Sequence, residues 1–168
     1  MTIHFANTKL SDCIAETWRL TSSFTGSANP VVNWEVADQV GGGSNGYTVC
    51  NESSGIFTFN QTGWYHCVWW MYFNGNTNSE WNEFVLQYSW NNGSNYESYQ
   101  YAQGYLVSGL QRYNTNCTSS VFSIPSISGS STRKLRFSTS MDDQGVQING
   151  STTQSHTGFT IMKIADID

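Results

Sequence analysis

The stretch that most limits what this chain can become is Trp64 to Phe73, WYHCVWWMYF, which reads as a long aromatic strand. Alternate residues of a strand point to opposite sides, so Tyr65, Cys67, Trp69 and Met71 share one face, and His66, Val68, Trp70 and Tyr72 share the other. A half-buried antiparallel strand alternates apolar with polar residues, and here only His66 interrupts the second apolar row. Both faces therefore need a cover. No other segment has the pattern of a long amphipathic helix, so the cover expected for the second face is another copy of the same chain.

The residues before this strand prepare it. Ile56 to Phe59 makes a short strand, and Asn60 to Gly63 supplies turn chemistry. Further along, Thr17 to Phe24, Val31 to Val36, Glu83 to Trp90, Tyr96 to Val107, Val121 to Ile127, Arg133 to Thr139 and Gly158 to Ile164 alternate or carry strand-forming residues. The connections expected are Gly26 to Pro30, Val40 to Gly46, Asn74 to Asn82, Asn91 to Asn95 with its Asn-Gly pair, and Asn114 to Ser119. Ser11 to Thr17 reads as a capped helical turn. Pro125 marks a bulge or a strand edge. The sum is an all-β chain of about ten short strands, arranged as a sandwich or jelly roll.

Composition narrows function. Of 168 residues only 11% are charged and 15% are aromatic, and the formal net charge is −5 with seven Lys and Arg. That balance excludes a nucleic-acid partner, which requires concentrated positive charge; Arg133, Lys134 and Arg136 read as a polar strand face. No run approaches the length of a membrane span, and Met1 to Leu10 has no apolar core of the kind a signal peptide carries, so neither insertion nor export is expected. The Gly-rich VGGGSNG segment lacks the Lys-Ser/Thr of a phosphate loop and reads as a surface connection.

Chemistry is sparse. Cys13, Cys50, Cys67 and Cys117 are widely spaced without a paired zinc motif, and a bridge such as Cys50 to Cys117 stays open beside free thiols. His4, His66 and His156 and the scattered carboxylates define no triad, so no enzyme, metal or cofactor is expected. Asp142 and Asp143 ahead of Gly145 read as a hydrated turn, with calcium as the alternative. Trp81, Trp90, Tyr96 and Tyr99 lie on or near loops, where rings flanked by Asn and Ser suit stacking on sugars, although packing of the outer sheet is the favoured reading because aromatics are also favoured strand residues.

Tyr47, Gly55, Phe57, Phe59, Gly63 and Tyr65 carry a Gly-x-Phe-x-x-x-x-x-Gly-x-Tyr spacing. On these residues the chain resembles the trimeric jelly roll shared by the globular heads of complement-q-type proteins and by tumour necrosis factor relatives, and Thr157 to Ile161 looks like that family's closing strand. The resemblance implies a TNF-like homotrimer with a domain over 17–168 and an N-terminal arm over 1–16. It implies a trimer face of His66, Val68, Trp70, Tyr72, Thr160 and Met162, and a sandwich core of Phe57, Phe59, Tyr65, Cys67, Trp69, Met71, Phe159 and Ile161. More closely, TSSFTGSANPVVNWE (21–35), ESSGIFTFNQTGWY (52–65) and HTGFTIMKIAD (156–166) look like segments of phage virion proteins of this fold, especially cyanophage head-decoration and fibre proteins. Unlike complement relatives the chain has no collagen-like stalk, and unlike cytokine relatives it shows no leader or membrane stub. What this implies is a non-enzymatic decoration or cement protein on the outer surface of a phage capsid, assembled in the bacterial cytoplasm. Its partner would be the major capsid protein, held through Ile3, Phe5 and Leu10 of the arm. The alternative is the tip of a tail fibre that binds a host-surface glycan or receptor.

Overall fold

The computed structural model describes residues 14–37, 48–75, 77–107 and 113–167. In chain order the strands are β1 (Ala15–Leu20), β2 (Phe24–Thr25), β3 (Trp34–Val36), β4 (Cys50–Ser53), β5 (Ile56–Phe59), β6 (Gly63–Asn74), β7 (Ser79–Ser89), β8 (Glu97–Leu106), β9 (Tyr113–Ile124), β10 (Lys134–Met141), β11 (Gln147–Ile148) and β12 (Gly158–Ala165). A single 3-10 turn at Gly129–Ser131 is the helical element among the described residues.

The strands form two sheets. The first runs β2-β11-β6-β12-β1-β3, with β9 on the other side of β6, and the second runs β4-β5-β10-β7-β8. All named pairs are antiparallel, and β6 is the hub of the first sheet: β12 pairs with it from Trp64 to Trp70, and β9 pairs with it along its whole length. This is a TNF-like jelly-roll sandwich.

Between the sheets lies an aromatic core. Phe57, Phe59, Tyr65, Cys67, Trp69, Met71, Phe159 and Ile161 are all buried there, as are Trp34, Phe84 and Phe137 from other strands. Phe137 stands 4.7 Å from Phe159 and 5.0 Å from Phe84, ring centre to ring centre, so it touches both sheets at once. Two of the core rings pair their polar atoms: the Trp69 indole donates to Phe84 O at 3.1 Å, and the Tyr65 hydroxyl donates to Gln61 O at 2.8 Å. The carboxylate of Glu16, on the core side of β1, accepts from Trp18 Nε1 and from the backbone N–H groups of Val49 and Cys50, each at 3.2 Å. It thereby ties the first sheet to the first strand of the second.

The β4–β5 hairpin turns through Ser54 and Gly55, with φ of 53° and 81°. A Cβ on Gly55 would sit 2.3 Å from Val31 O, so glycine is required there for space as well as for its dihedral.

Several local expectations are corrected. Asn114 to Ser119, expected as loop, lies within β9, mostly in its first half. Its Ser, Thr and Asn content carries little strand propensity, and pairing with β6 overrides that; inside the sandwich, Asn116 Nδ2 donates to Ala102 O at 3.1 Å. The expected Asn74 to Asn82 loop is shortened at both ends, because β6 runs to Asn74 and β7 begins at Ser79. Instead of a helical turn reaching Thr17, the chain is already extended at Ala15, since β1 is drawn into the sheet by β12. The same pairing places Ala15 and Glu16 in the sandwich rather than in an arm. Val31 to Val36 reduces to a strand of three residues. The segments 1–13 and 40–46, with His4 and the proposed anchors Ile3, Phe5 and Leu10, lie outside the described residues.

Candidate functional site

The outer face of the first sheet is a surface that the described residues leave without a further layer. On β6 the outward side chains are Trp64, His66, Val68, Trp70 and Tyr72, alternating with the buried set. The register lays Met162 beside His66 and Thr160 beside Val68 on one flank, and Val121 beside His66 on the other. Thr17 of β1 extends the row, its hydroxyl 2.9 Å from that of Thr160. The six residues expected at a trimer face are thus brought together on one sheet face, each half-buried, while the neighbouring Trp64 and Val121 are 45% and 47% exposed.

Two local devices keep the face flat and aromatic. Trp70 lies across Gly158, where a Cβ would meet its ring at 2.9 Å and Trp18 O at 2.4 Å, and its indole donates to Ser155 O at 3.1 Å. Tyr72 is stacked between Tyr113 and His156, with ring centres 6.0 and 5.4 Å away. At the margin the buried Arg19 pairs with Glu35 at 2.7 Å.

A second surface borders the first. In the described residues β8 pairs only with β7 and β9 only with β6, so these two strands form the open edge of the sandwich. Tyr99, Tyr101, Tyr105 and Tyr113 are exposed along or beside this edge, and the Tyr99 hydroxyl donates across it to Val121 O at 3.2 Å.

The remaining sequence candidates separate in space. Trp81 stands near the start of β7, beside the Asp142 turn. Trp90, Tyr96 and Tyr99 gather toward the other end of β7, and there the structure adds residues that the sequence kept apart: Arg133 lies over Trp90 at 4.1 Å, and Arg136 lies over Tyr96 at 4.0 Å. No periodicity links 90 with 133; only the β7–β10 pairing does.

Asp142 and Asp143 serve as hydrogen-bond acceptors that tie their turn to the start of β7 and the residues before it. Asp142 Oδ2 takes the Glu80 N–H at 3.0 Å, while Asp143 accepts from the Thr77 hydroxyl and from the Gly145 N–H. The Thr77 hydrogen bond, then that of Gly145, lowers the pKa of Asp143 below the usual carboxylate value. Among the described residues no group of three His, Cys, Asp or Glu side chains is placed to hold a metal. Cys50, Cys67 and Cys117 are free thiols. A bridge from Cys50 to Cys117 is ruled out because the first is buried in the second sheet and the second is exposed on β9. Burial pushes the thiols of Cys50 and Cys67 well above their ordinary pKa, so both are held neutral.

No protein-family model matches this sequence, and no curated protein matches it. The fold does have solved counterparts. It is similar to the Eiger TNF of S. frugiperda with a TM-score of 0.67 and 12% identity, covering 93% of this chain and 95% of that one. It is similar also to murine APRIL at pH 5.0, with a TM-score of 0.64 and 12% identity over 89% of this chain and 98% of that one. At such identity the likeness is one of fold.

Proposed function

We propose that this chain is a non-enzymatic virion protein, a homotrimer that decorates and cements a phage capsid by binding its major capsid protein. The observation that carries the assembly is the presence on one molecule of two unlike apolar surfaces, the β6 face and the tyrosine-lined β8–β9 edge. Unlike surfaces that meet head to tail generate a ring when the rotation closes. A trimer that sets each edge on its neighbour's β6 face covers both, and it removes Trp64, Trp70, Tyr72 and Val121 from water.

The phage assignment is supported by the three sequence segments that resemble virion proteins of this fold. In this reading the residues before β1 hold the capsid, the site of action is the capsid's outer surface, and assembly takes place in the bacterial cytoplasm. Many weak contacts repeated over a lattice give the avidity that reinforcement requires.

The test is mass measurement in solution, followed by cosedimentation with capsids stripped of accessory proteins. The truncation to compare lacks residues 1–13, because removing Glu16 would also remove its buried carboxylate. Saturable binding of the full-length trimer, lost on truncation, is the expected result. A trimer that never binds capsids would overturn the decoration reading.

A further inference from the structure

The far end of the sandwich carries a feature that capsid binding does not use. Arg133, Lys134 and Arg136 are three of the seven cations in a chain of net charge −5, and none of them has a carboxylate within ion-pair distance among the described residues. The Arg133 guanidinium is stacked 4.1 Å above the Trp90 ring, and its Nε is buried without a hydrogen-bond partner. Tyr96, beneath Arg136, likewise has a buried hydroxyl without a partner. Two of the three unpartnered buried side-chain atoms among the described residues therefore belong to this cluster. Such atoms are costly to leave unpaired, and they concentrate where something other than packing has fixed the residues.

The frame is rigid. Between Trp90 and Tyr96 the chain turns through Asn92 and Gly93, with φ of 58° and 85°. Ser89 Oγ accepts the Gly93 N–H at 2.8 Å, and Asn91 Oδ1 accepts the Asn95 N–H at 3.0 Å. Trp90 is held edge-on by Tyr88 with ring centres 4.3 Å apart, yet it remains 46% exposed. The turn leaves Asn92 and Asn95 exposed, and Lys134 packs against it at Gly93.

We propose that this end of the sandwich binds an anionic saccharide. The sugar ring lies on the exposed part of the Trp90 indole, its carboxylate is met by Arg133 and Lys134, and its hydroxyls are met by the turn amides. Stacking on an indole selects a flat, C–H-rich ring face. A guanidinium already held by a cation–π contact loses little freedom when it takes a carboxylate in its fork. The net negative charge elsewhere disfavours a polyanion such as nucleic acid, which needs a longer basic track. This goes beyond the capsid reading and does not depend on it.

The test is titration of the full-length protein with trigalacturonic acid, with its uncharged methyl ester, and with inorganic phosphate. Saturable binding of the acid is expected, weakened about tenfold or more for the ester, with phosphate alone weaker still. Arg133→Gln and Lys134→Gln should each cost a similar factor, with circular dichroism showing that both variants remain folded at the titration temperature. These two carry the test, since Trp90→Ala also removes packing on Tyr88. Absence of binding at millimolar acid, equal binding of the ester, or unchanged binding by Arg133→Gln would overturn the proposal. Phosphate binding as tight as the sugar would overturn it too, by reducing the site to an anion contact. Capsid cosedimentation of Arg133→Gln should equal that of the unaltered protein, which keeps the two readings separable.

Discussion

The two sheets of this sandwich share one core and differ in what they show to the outside. The first presents Trp64, Val68, Trp70, Tyr72 and Met162 outward from β6 and β12, whereas the second presents Gln87 from β7 and Lys134, Arg136 and Ser140 from β10. Both are antiparallel and both use period-two alternation, so the backbone does not decide which face is wet. The side chains do, and a sheet with two apolar faces has one more layer to find than the described residues supply.

The sharpest way to break this contrast is to place a charge at the centre of each face. Trp70→Glu should weaken assembly by about 100-fold or more, because an unpaired carboxylate would be desolvated in the proposed trimer interface. Analytical ultracentrifugation reads this directly, and a variant that stays trimeric and soluble removes Trp70 from the interface. The matching change on the other sheet, Gln87→Glu, should leave assembly intact, since Gln87 already accepts from Arg136 Nε at 2.7 Å and a carboxylate suits that donor at least as well.

The shared interior gives intermediate effects. Truncation of Phe137 to Ala should cost about 3–5 kcal/mol in denaturant unfolding, because its ring fills space against both sheets. Glu16→Ala should cost about 1–3 kcal/mol by leaving the Val49 and Cys50 N–H groups and the Trp18 indole without their acceptor. If the cost were near zero, the link between β1 and β4 would be incidental.

A pH effect follows from Tyr88, whose hydroxyl donates to Ser123 O at 2.5 Å and whose pKa is pushed up to about 12, chiefly by burial. The unfolded chain loses this proton near pH 10, so between about pH 10 and 12 the unfolded state binds fewer protons than the folded state and stability falls as pH rises. Below pH 10 the contribution is fully present. Melting temperatures across this window should decline less steeply in Tyr88→Phe than in the unaltered protein.

The smallest expected change is the mirror substitution itself: Gln87→Glu should move stability by no more than about 0.5 kcal/mol. A large loss there would mean that the second sheet's outer face is covered as well.

Much of this architecture was legible beforehand. The alternation in β6 separates Tyr65, Cys67, Trp69 and Met71 from His66, Val68, Trp70 and Tyr72, and the structure buries the first set completely while leaving the second at the surface. The Asn92-Gly93 turn was readable from its dihedral demands. By contrast the first half of β9 was hidden, although a strand from Val121 was expected, because Asn114 to Ser119 has the composition of a loop and becomes a strand only as part of twelve consecutive pairings with β6. The basic and aromatic cluster was hidden for a related reason, its two halves being harmless apart.

What the sequence determined by itself is the local grammar: which residues alternate, where the chain can turn, and that one strand has two apolar faces. Those properties depend on neighbours one to four positions away, and a linear reading captures them. Tertiary structure alone decided that Arg133 would stand over Trp90, that Glu16 would meet Val49 and Cys50, and that β8 and β9 would share an open edge. These contacts join segments far apart in the chain, and strand register, set by burial of the common core, fixes them all at once.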